Sequence, residues 1–340
     1  MYRKTIFLAA LLTFVVVVVG AYVRLSDAGL GCPDWPGCYG RVTPFHASDQ
    51  ISLAVAEQGG EHGPVSMQKA WKEMFHRYIA GFLGLMLLTI AVIAWTKRTA
   101  LRQSPALPTV LLAVVVVQAT LGMWTVTLLL KPVIVTLHLL GGMTILAMLS
   151  WLALRQMNLQ APPEAANLRT PALVGLLLLV LQIALGGWVS SNYAALACPD
   201  LPLCRGELMP TMDFANAFHM LRELGMTPQG ELLSNEALTA IHWMHRLGAL
   251  VVTAVTLYLV LRMTASNATR KLGLLLLGAL VLQFTLGVLN VVYSLPLLLA
   301  AAHNGGAAIL LVIYVVINFI THRAAALPDA RLAGRLSTQS

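Results

Sequence analysis

Long apolar runs, separated by shorter polar segments, fill most of the chain. A helix needs about 20 predominantly apolar residues to cross the hydrocarbon core of a bilayer, and eight stretches reach or approach that length. They are residues 6–23, 75–96, 107–129, 133–154, 171–190, 240–262, 271–293 and 297–320. The pattern therefore predicts an all-α membrane protein with eight transmembrane helices.

The polar segments predict how these helices are connected and oriented. Two connections are very short and contain Pro132 or Pro296, as expected of tight hairpins. Basic residues recur in the segments that an eight-helix topology places on one side of the membrane. They are Arg3, Lys4, Lys97, Arg98, Arg102, Arg155, Arg169, Arg262, Arg270, Lys271, Arg323, Arg331 and Arg335. Because positive residues of short loops stay in the cytoplasm, both termini should be cytoplasmic and the long segments 24–74 and 191–239 should lie outside.

The composition agrees with a lipid environment. Hydrophobic residues make up 58% of the chain and charged residues only 11%, whereas a soluble domain has about 25% charged residues. The net charge of +8 is assigned to the cytoplasmic loops, since the sequence shows no basic patch interleaved with aromatic residues. We expect contact with membrane lipid and none with nucleic acid, and the sequence leaves a homo-oligomer open.

An internal repeat divides the chain into two halves. Four landmarks of the first half recur in the second after a nearly constant interval. Cys32–Cys38 recurs as Cys198–Cys204 (198 − 32 = 166), His76-Arg77 as His245-Arg246 (245 − 76 = 169), Gln118–Gly122 as Gln283–Gly287 (283 − 118 = 165) and His138 as His303 (303 − 138 = 165). Each half holds an even number of predicted helices, so both halves have one orientation. We expect a parallel repeat of two pseudo-symmetric four-helix bundles, over residues 1–157 and 171–323.

Four histidines occupy repeat-related positions near the outer ends of the even-numbered helices. They are His76 and His138 in the first half, and His245 and His303 in the second. Two imidazoles at one depth on two facing helices can ligate a haem iron from both sides. A polar ring inside the membrane is costly without a partner, so the pattern favours one haem per half. Hydrogen bonding to a neighbouring helix explains one such histidine but poorly explains four, and a tetrahedral zinc site lacks compact spacing and a thiolate at that depth.

Two charged residue types accompany these histidines. Arg77 and Arg246 each follow a histidine and are candidates to pair with haem propionates, or they extend to the lipid headgroups. Glu73 shares a helix face with His76 and is a candidate proton acceptor. The alternative is a boundary carboxylate paired with Lys72 or Arg77. The second half has His242 near the position of Glu73, and its role stays open at this point.

The four cysteines form two equally spaced pairs in the predicted outer segments, Cys32/Cys38 and Cys198/Cys204. Disulfides persist outside the cytoplasm, and each pair brackets a short loop with two prolines. A disulfide would restrict the unfolded loop, while a small ring is also more easily reduced. The disulfides could therefore have a structural or a redox role. Both roles stay open for Cys32 and Cys38, which lie in the same half as Glu73.

Together these residues resemble the haem A synthase family, in its bacterial type with paired cysteines in the outer loops. The resemblance runs from Gly20-Ala21-Tyr22-Val23-Arg24-Leu25-Ser26 through both cysteine loops and all four histidines to His303. It implies eight transmembrane helices in two pseudo-symmetric halves, in a bacterial cytoplasmic (inner) membrane. It also implies oxidation of a ring methyl of haem O to a formyl group, which gives haem A for cytochrome oxidase.

The resemblance further implies roles for single residues. His76 and His138 would ligate the substrate haem, and His245 and His303 a haem b cofactor. Glu73, Cys32 and Cys38 match positions that are important for activity, and Cys198 and Cys204 match the second pair. Haem O synthase is the expected donor of the substrate.

The expected chemistry is two successive hydroxylations followed by loss of water. An iron with two axial imidazoles has no open position for dioxygen, which favours water as the oxygen source. The competing interpretation is a di-haem b electron-transfer protein of the cytochrome b561 or quinol-oxidising kind. Such carriers usually stack their haems across the membrane, whereas all four histidines here lie near one face.

Overall fold

Eight long apolar helices make up most of the structure, a computed structural model that describes residues 1–58, 60 and 63–326. We number them in chain order: α1 (Tyr2–Leu25), α2 (Met67–Thr96), α3 (Ala106–Thr127), α4 (Pro132–Arg155), α5 (Arg169–Ser191), α6 (Asn235–Thr264), α7 (Asn267–Val292) and α8 (Leu297–Ala325). All eight are long and apolar enough to cross a membrane. Within the described ranges, β-structure is limited to three isolated bridges. The predicted all-α fold with eight transmembrane helices is confirmed.

Several helices begin before the apolar run that predicted them. The side chain of Ser66 accepts a hydrogen bond from the Lys69 N–H, and Ser234 does the same for Ala237. These N-caps satisfy free N–H groups at the starts of α2 and α6. Hydropathy detects only the part of a helix that lies in lipid, so the capped polar turns of both helices were missed.

The helices pack as two closed rings of four. In the first ring α1 packs on α2, α2 on α3, α3 on α4, and α4 on α1. In the second, α5, α6, α7 and α8 contact one another in the same order. The rings join where α1 meets α8 and where α4 meets both α5 and α8. This packing agrees with the expected bundles, while their pseudo-symmetric relation stays a prediction.

Helix α8 lies deepest in the assembly. Of its most apolar stretch, 67% of residues are buried, against 11% for α3, so α8 is central and α3 mostly faces outward. The buried Tyr314 of α8 forms a hydrogen bond of 2.8 Å with the hydroxyl of Thr256 on α6. Leu310, Leu311 and Ile317 add to the main apolar core around it.

Short segments outside the long helices cover the two bundles. A 3-10 turn, Pro163–Leu168, links the halves and packs on α8 and α5. Before α2 lie the first cysteine loop and a short helix, Ser48–Glu57, which share a small apolar cluster with the start of α2. The cytoplasmic termini and the outer position of the cysteine loops stay predictions. Arg331 and Arg335, which contributed to that orientation, lie outside the described residues.

Candidate functional site

One large cavity is lined by helices of both rings and includes all four predicted ligands. Its volume is about 1770 Å³, and His76, His138, His245 and His303 all line it. His76 and His138 lie on α2 and α4 of the first ring, and His245 and His303 on α6 and α8 of the second. In each ring the two histidines stand on the diagonally opposed even-numbered helices. The structure therefore brings the predicted pairs together.

Each imidazole rests against a glycine of the adjacent odd-numbered helix. A methyl group added at Gly20 would lie 2.8 Å from Cε1 of His76. The corresponding separations are 3.0 Å for Gly122 and His138, 3.1 Å for Gly186 and His245, and 3.1 Å for Gly287 and His303. Since ordinary carbon contacts are 3.5–4.0 Å, any larger residue would displace the ring. The absence of a side chain at these glycines leaves the space that the imidazoles occupy.

The paired imidazoles fit a haem. Nδ1 of His76, His138 and His303 is buried without a hydrogen-bond partner in the part of the chain that the structure describes. Among those residues no group of three or more His, Cys, Asp or Glu side chains could hold a metal ion. A haem requires only two axial protein ligands, because the porphyrin nitrogens supply the others. Each pair of histidines thus matches a haem better than a bare metal ion.

Glu73 is buried in the cavity wall and committed to two partners. One carboxylate oxygen pairs with the Arg77 guanidinium. The other accepts a hydrogen bond of 3.0 Å from the backbone N–H of Cys32. The acid thus connects the helix that bears His76 to the first cysteine loop.

His242 has the corresponding place in the second half. Its Nδ1 accepts the backbone N–H of Cys198 at 3.3 Å, and the Nε of Arg246 lies 3.2 Å from its Nε2. Glu73 and His242 therefore have the same two neighbours, a cysteine amide and an arginine, although an imidazole can accept a hydrogen bond at only one of its two nitrogens. Sequence spacing alone left the role of His242 open, because the contact depends on how the loop returns to the helix.

Arg77 and Arg246 both hold a cysteine loop by its carbonyl oxygens. Arg77 Nη1 donates to Asp34 O at 2.7 Å and also to the carbonyl of Gly37. Arg246 Nη1 donates to Asp200 O at 2.9 Å, and its Nη2 to Cys198 O at 2.6 Å. Backbone carbonyls of each loop thus accept hydrogen bonds from its arginine, and Arg77 Nη2 also pairs with Glu73. Pairing with haem propionates stays a prediction for both residues.

The two cysteine loops have the same local structure. Both pairs form disulfides, with Cα–Cα distances of 4.8 Å for Cys32–Cys38 and 4.6 Å for Cys198–Cys204. In the second loop the Asp200 carboxylate accepts the N–H groups of Arg205 and Gly206 at 2.6 and 2.8 Å. The pKa of Asp200 is lowered, first by the Gly206 hydrogen bond. Residues of both loops line the cavity.

A polar contact that the sequence did not reveal joins the halves at the cavity wall. Arg24 Nη2 donates to Ser190 O at 2.9 Å, and Tyr193 Oη donates to Asp27 at 2.9 Å. The Arg24 guanidinium also lies 4.2 Å from the centre of the Tyr193 ring. Burial raises the pKa of the Tyr193 hydroxyl. Both contacts join residues at equivalent positions of the repeat, since 190 − 24 and 193 − 27 both equal the repeat interval of 166. The repeat could therefore have indicated this contact.

Comparison with known proteins places this architecture in a family. The model of the COX15-CtaA family, described as cytochrome oxidase assembly protein, matches residues 3–315. A Shewanella oneidensis protein named "Heme A synthase" is 42% identical over 92% of this chain and 95% of its own length. A Methylobacterium radiotolerans protein of the same name is 27% identical over 87% of this chain and 83% of its own length. The chain therefore belongs to the COX15-CtaA family of cytochrome oxidase assembly proteins.

Proposed function

We propose that this chain is a haem A synthase, a bacterial membrane oxidoreductase that converts haem O to haem A. The ring methyl gains one oxygen from water and loses four electrons and four protons: R–CH3 + H2O → R–CHO + 4 e⁻ + 4 H⁺. An external electron acceptor takes up the four electrons. Two hydroxylations and one dehydration complete this change. The family supports this reaction over a di-haem electron carrier.

The observation that carries the proposal is the pairing of imidazoles around one cavity. His76 and His138 would hold the substrate haem O in the first half, and His245 and His303 would hold haem b in the second; all four side chains line the cavity. Haem b, when bound, supplies one-electron relay chemistry. The protein's part is to fix each haem by two axial nitrogens and to keep both haems in one cavity.

Glu73 is assigned as the proton acceptor of the first half. It lines the cavity near His76, and its other contacts lead to the first cysteine loop. A positioned base can contribute about 10²–10⁴-fold to the rate. The second half has neutral His242 in the same contacts and is assigned no proton-accepting role.

Cys32 and Cys38 are assigned a part in activity through Glu73. The first cysteine's backbone N–H is the group that holds the carboxylate in place. Cys198 and Cys204 are assigned a structural role, since the Cys198 backbone N–H makes the corresponding hydrogen bond to His242. Haem O synthase is the proposed donor of the substrate, and haem A leaves for cytochrome oxidase assembly.

The test separates the acid's chemistry from its structural contacts. Glu73→His installs the residue that the second half uses naturally, so it keeps an acceptor for the Cys32 amide but removes the carboxylate. With a haem O source, we expect Glu73→His to bind haem yet lose about 10²–10⁴-fold in conversion, measured by extraction and mass identification of the haems. The matched control, His242→Glu, should convert haem O at the normal rate.

Two outcomes would contradict the proposal at different levels. If Glu73→His converts haem O normally, the base assignment is wrong while the activity stands. If the unaltered protein binds haem O and never yields the formyl product, the proposed function is wrong.

A further inference from the structure

Three of the four histidines contact a glutamine of the adjacent helix, two of them through the backbone carbonyl of the histidine. Gln118 Nε2 donates to the backbone carbonyl of His138 at 2.7 Å, and Gln182 Nε2 to that of His245 at 2.9 Å. The Gln182 amide also lies 3.0 Å from Nδ1 of His245, and the Gln283 amide 3.4 Å from Nε2 of His303. All three glutamines line the cavity.

A glycine three residues after each of these histidines accommodates the glutamine. The carboxamide oxygens of Gln118, Gln182 and Gln283 lie so close to Gly141, Gly248 and Gly306 respectively that a methyl group there would overlap them. The combination is a glutamine four residues before the glycine that supports the imidazole, and a second glycine three residues after the histidine. We call this combination the glutamine clamp.

His76 is the one ligand without a glutamine clamp. Val16 stands four residues before Gly20, where the other three helices have glutamine, and Ile79 stands three residues after His76, where the others have glycine. Among the hydrogen bonds of the described residues, no polar side chain of α1 contacts the His76 turn: Thr13 donates to Ala9 O, and Arg24 to Ser190 O.

The nitrogen of the His76 ring that lies nearer its glycine also differs. At the other three sites the glycine's added methyl group would lie nearer Nδ1, at 3.6–3.7 Å, than Nε2, at 3.8–3.9 Å. At Gly20 the order is reversed, with Nε2 at 3.3 Å and Nδ1 at 3.5 Å. Cε1 is the nearest ring atom at all four glycines, and His76 differs only in which nitrogen comes second.

We infer that His76 is the exchangeable ligand, and that the three glutamines are positioning residues that keep the other three imidazoles in place. Groups that orient a metal-ligating imidazole typically change metal affinity about 10- to 100-fold when they are lost. The second half has two clamped histidines, which suits a haem that stays bound. The first half has one clamped and one unclamped histidine, which suits a haem that must enter and leave. The inference rests on the proposed function, because it assigns the exchanging ring to the substrate half.

The test measures haem release from the purified protein loaded with both haems to excess apomyoglobin. We expect two phases, a fast one from the first half and a slow one from the second, with His76→Ala abolishing the fast phase. Val16→Gln with Ile79→Gly installs a clamp at His76 and should slow the fast phase about 10- to 100-fold. Gln182→Val with Gly248→Ile removes a clamp and should speed the slow phase by a similar factor.

Matched variants separate the clamp from general damage. Ile79→Gly alone lacks the glutamine and should leave both phases unchanged, and each variant's electron paramagnetic resonance spectrum reports the axial ligands directly. Unchanged release by the Val16→Gln/Ile79→Gly protein, which adds a contact and removes none of the existing clamps, overturns the inference even if the Gln182 variant does not fold. Mass identification of the released rings tests the proposed function separately: two haem b rings would refute the substrate assignment and still leave the clamp to be judged by the rates.

Discussion

At the scale of single residues, the site depends on where side chains are missing as much as on where they are present. Four imidazoles fit between helices only because Gly20, Gly122, Gly186 and Gly287 stand opposite them. Other helical glycines have no such neighbour: a methyl group at Gly81 or Gly84 would meet nothing within 4 Å. Glycine in a helix interior is destabilising by about 1 kcal/mol relative to alanine. The glycines beside the histidines therefore have a use that offsets this cost.

Gly122→Ala should weaken haem binding in the first half. The added methyl group would lie 3.0 Å from Cε1 of His138, and overpacking of this kind costs about 1–3 kcal/mol, which is roughly 5- to 150-fold in affinity. Haem titration followed by absorbance measures the change. Gly81→Ala is the control on α2 and should bind haem normally. Equal affinity in both variants would show that the Gly122 contact does not position the ring.

At the scale of elements, each cysteine loop is fastened to an even-numbered helix by one arginine and one acceptor. The loop carbonyls and the helix side chains meet in the same pattern at Arg77 and at Arg246. The two attachments differ in charge: Arg77 pairs with the buried carboxylate of Glu73, and Arg246 with neutral His242. This difference makes the energetic consequences of losing each arginine unequal.

Arg77→Leu should destabilise the protein more than Arg246→Leu. Removing Arg77 leaves a buried carboxylate unpaired, which costs about 3–5 kcal/mol, whereas removing Arg246 leaves neutral carbonyl and imidazole groups unpaired, at about 1–3 kcal/mol. Thermal unfolding in detergent should show the larger decrease in Tm for Arg77→Leu. The double variant Glu73→Leu/Arg77→Leu should recover part of the loss. Equal decreases for the two arginine variants would contradict an ion pair at Glu73.

At the scale of the whole molecule, the sequence predicted the eight helices and singled out the four histidines that line the cavity, but not the contacts that hold these histidines. Apolar length alone specifies a transmembrane helix, because every backbone group in lipid must be satisfied within the segment. The repeat then identified His76, His138, His245 and His303 as equivalent residues. The fastening of the loops by Arg77 and Arg246 could not be predicted, since those contacts join residues about 40 positions apart. The sequence repeat revealed only the match between Gln118 and Gln283. The place of Gln182 in the clamp, and its absence at Val16, were recognised only from the contacts between helices.

The orientation of the molecule in the membrane is also still a prediction at this scale, and the chain is well suited to testing it. All four cysteines are in disulfides, so an unaltered protein should not react with a maleimide. Thr99→Cys adds an exposed thiol between α2 and α3, and Ser52→Cys adds one in the segment before α2. Basic residues in the α2–α3 connection should keep it in the cytoplasm. A membrane-impermeant maleimide should therefore label Ser52→Cys in intact spheroplasts, and Thr99→Cys only after permeabilisation. The reverse pattern would place both disulfides in the reducing cytoplasm, where they do not persist, and would contradict both the orientation and the assigned role of the cysteine loops.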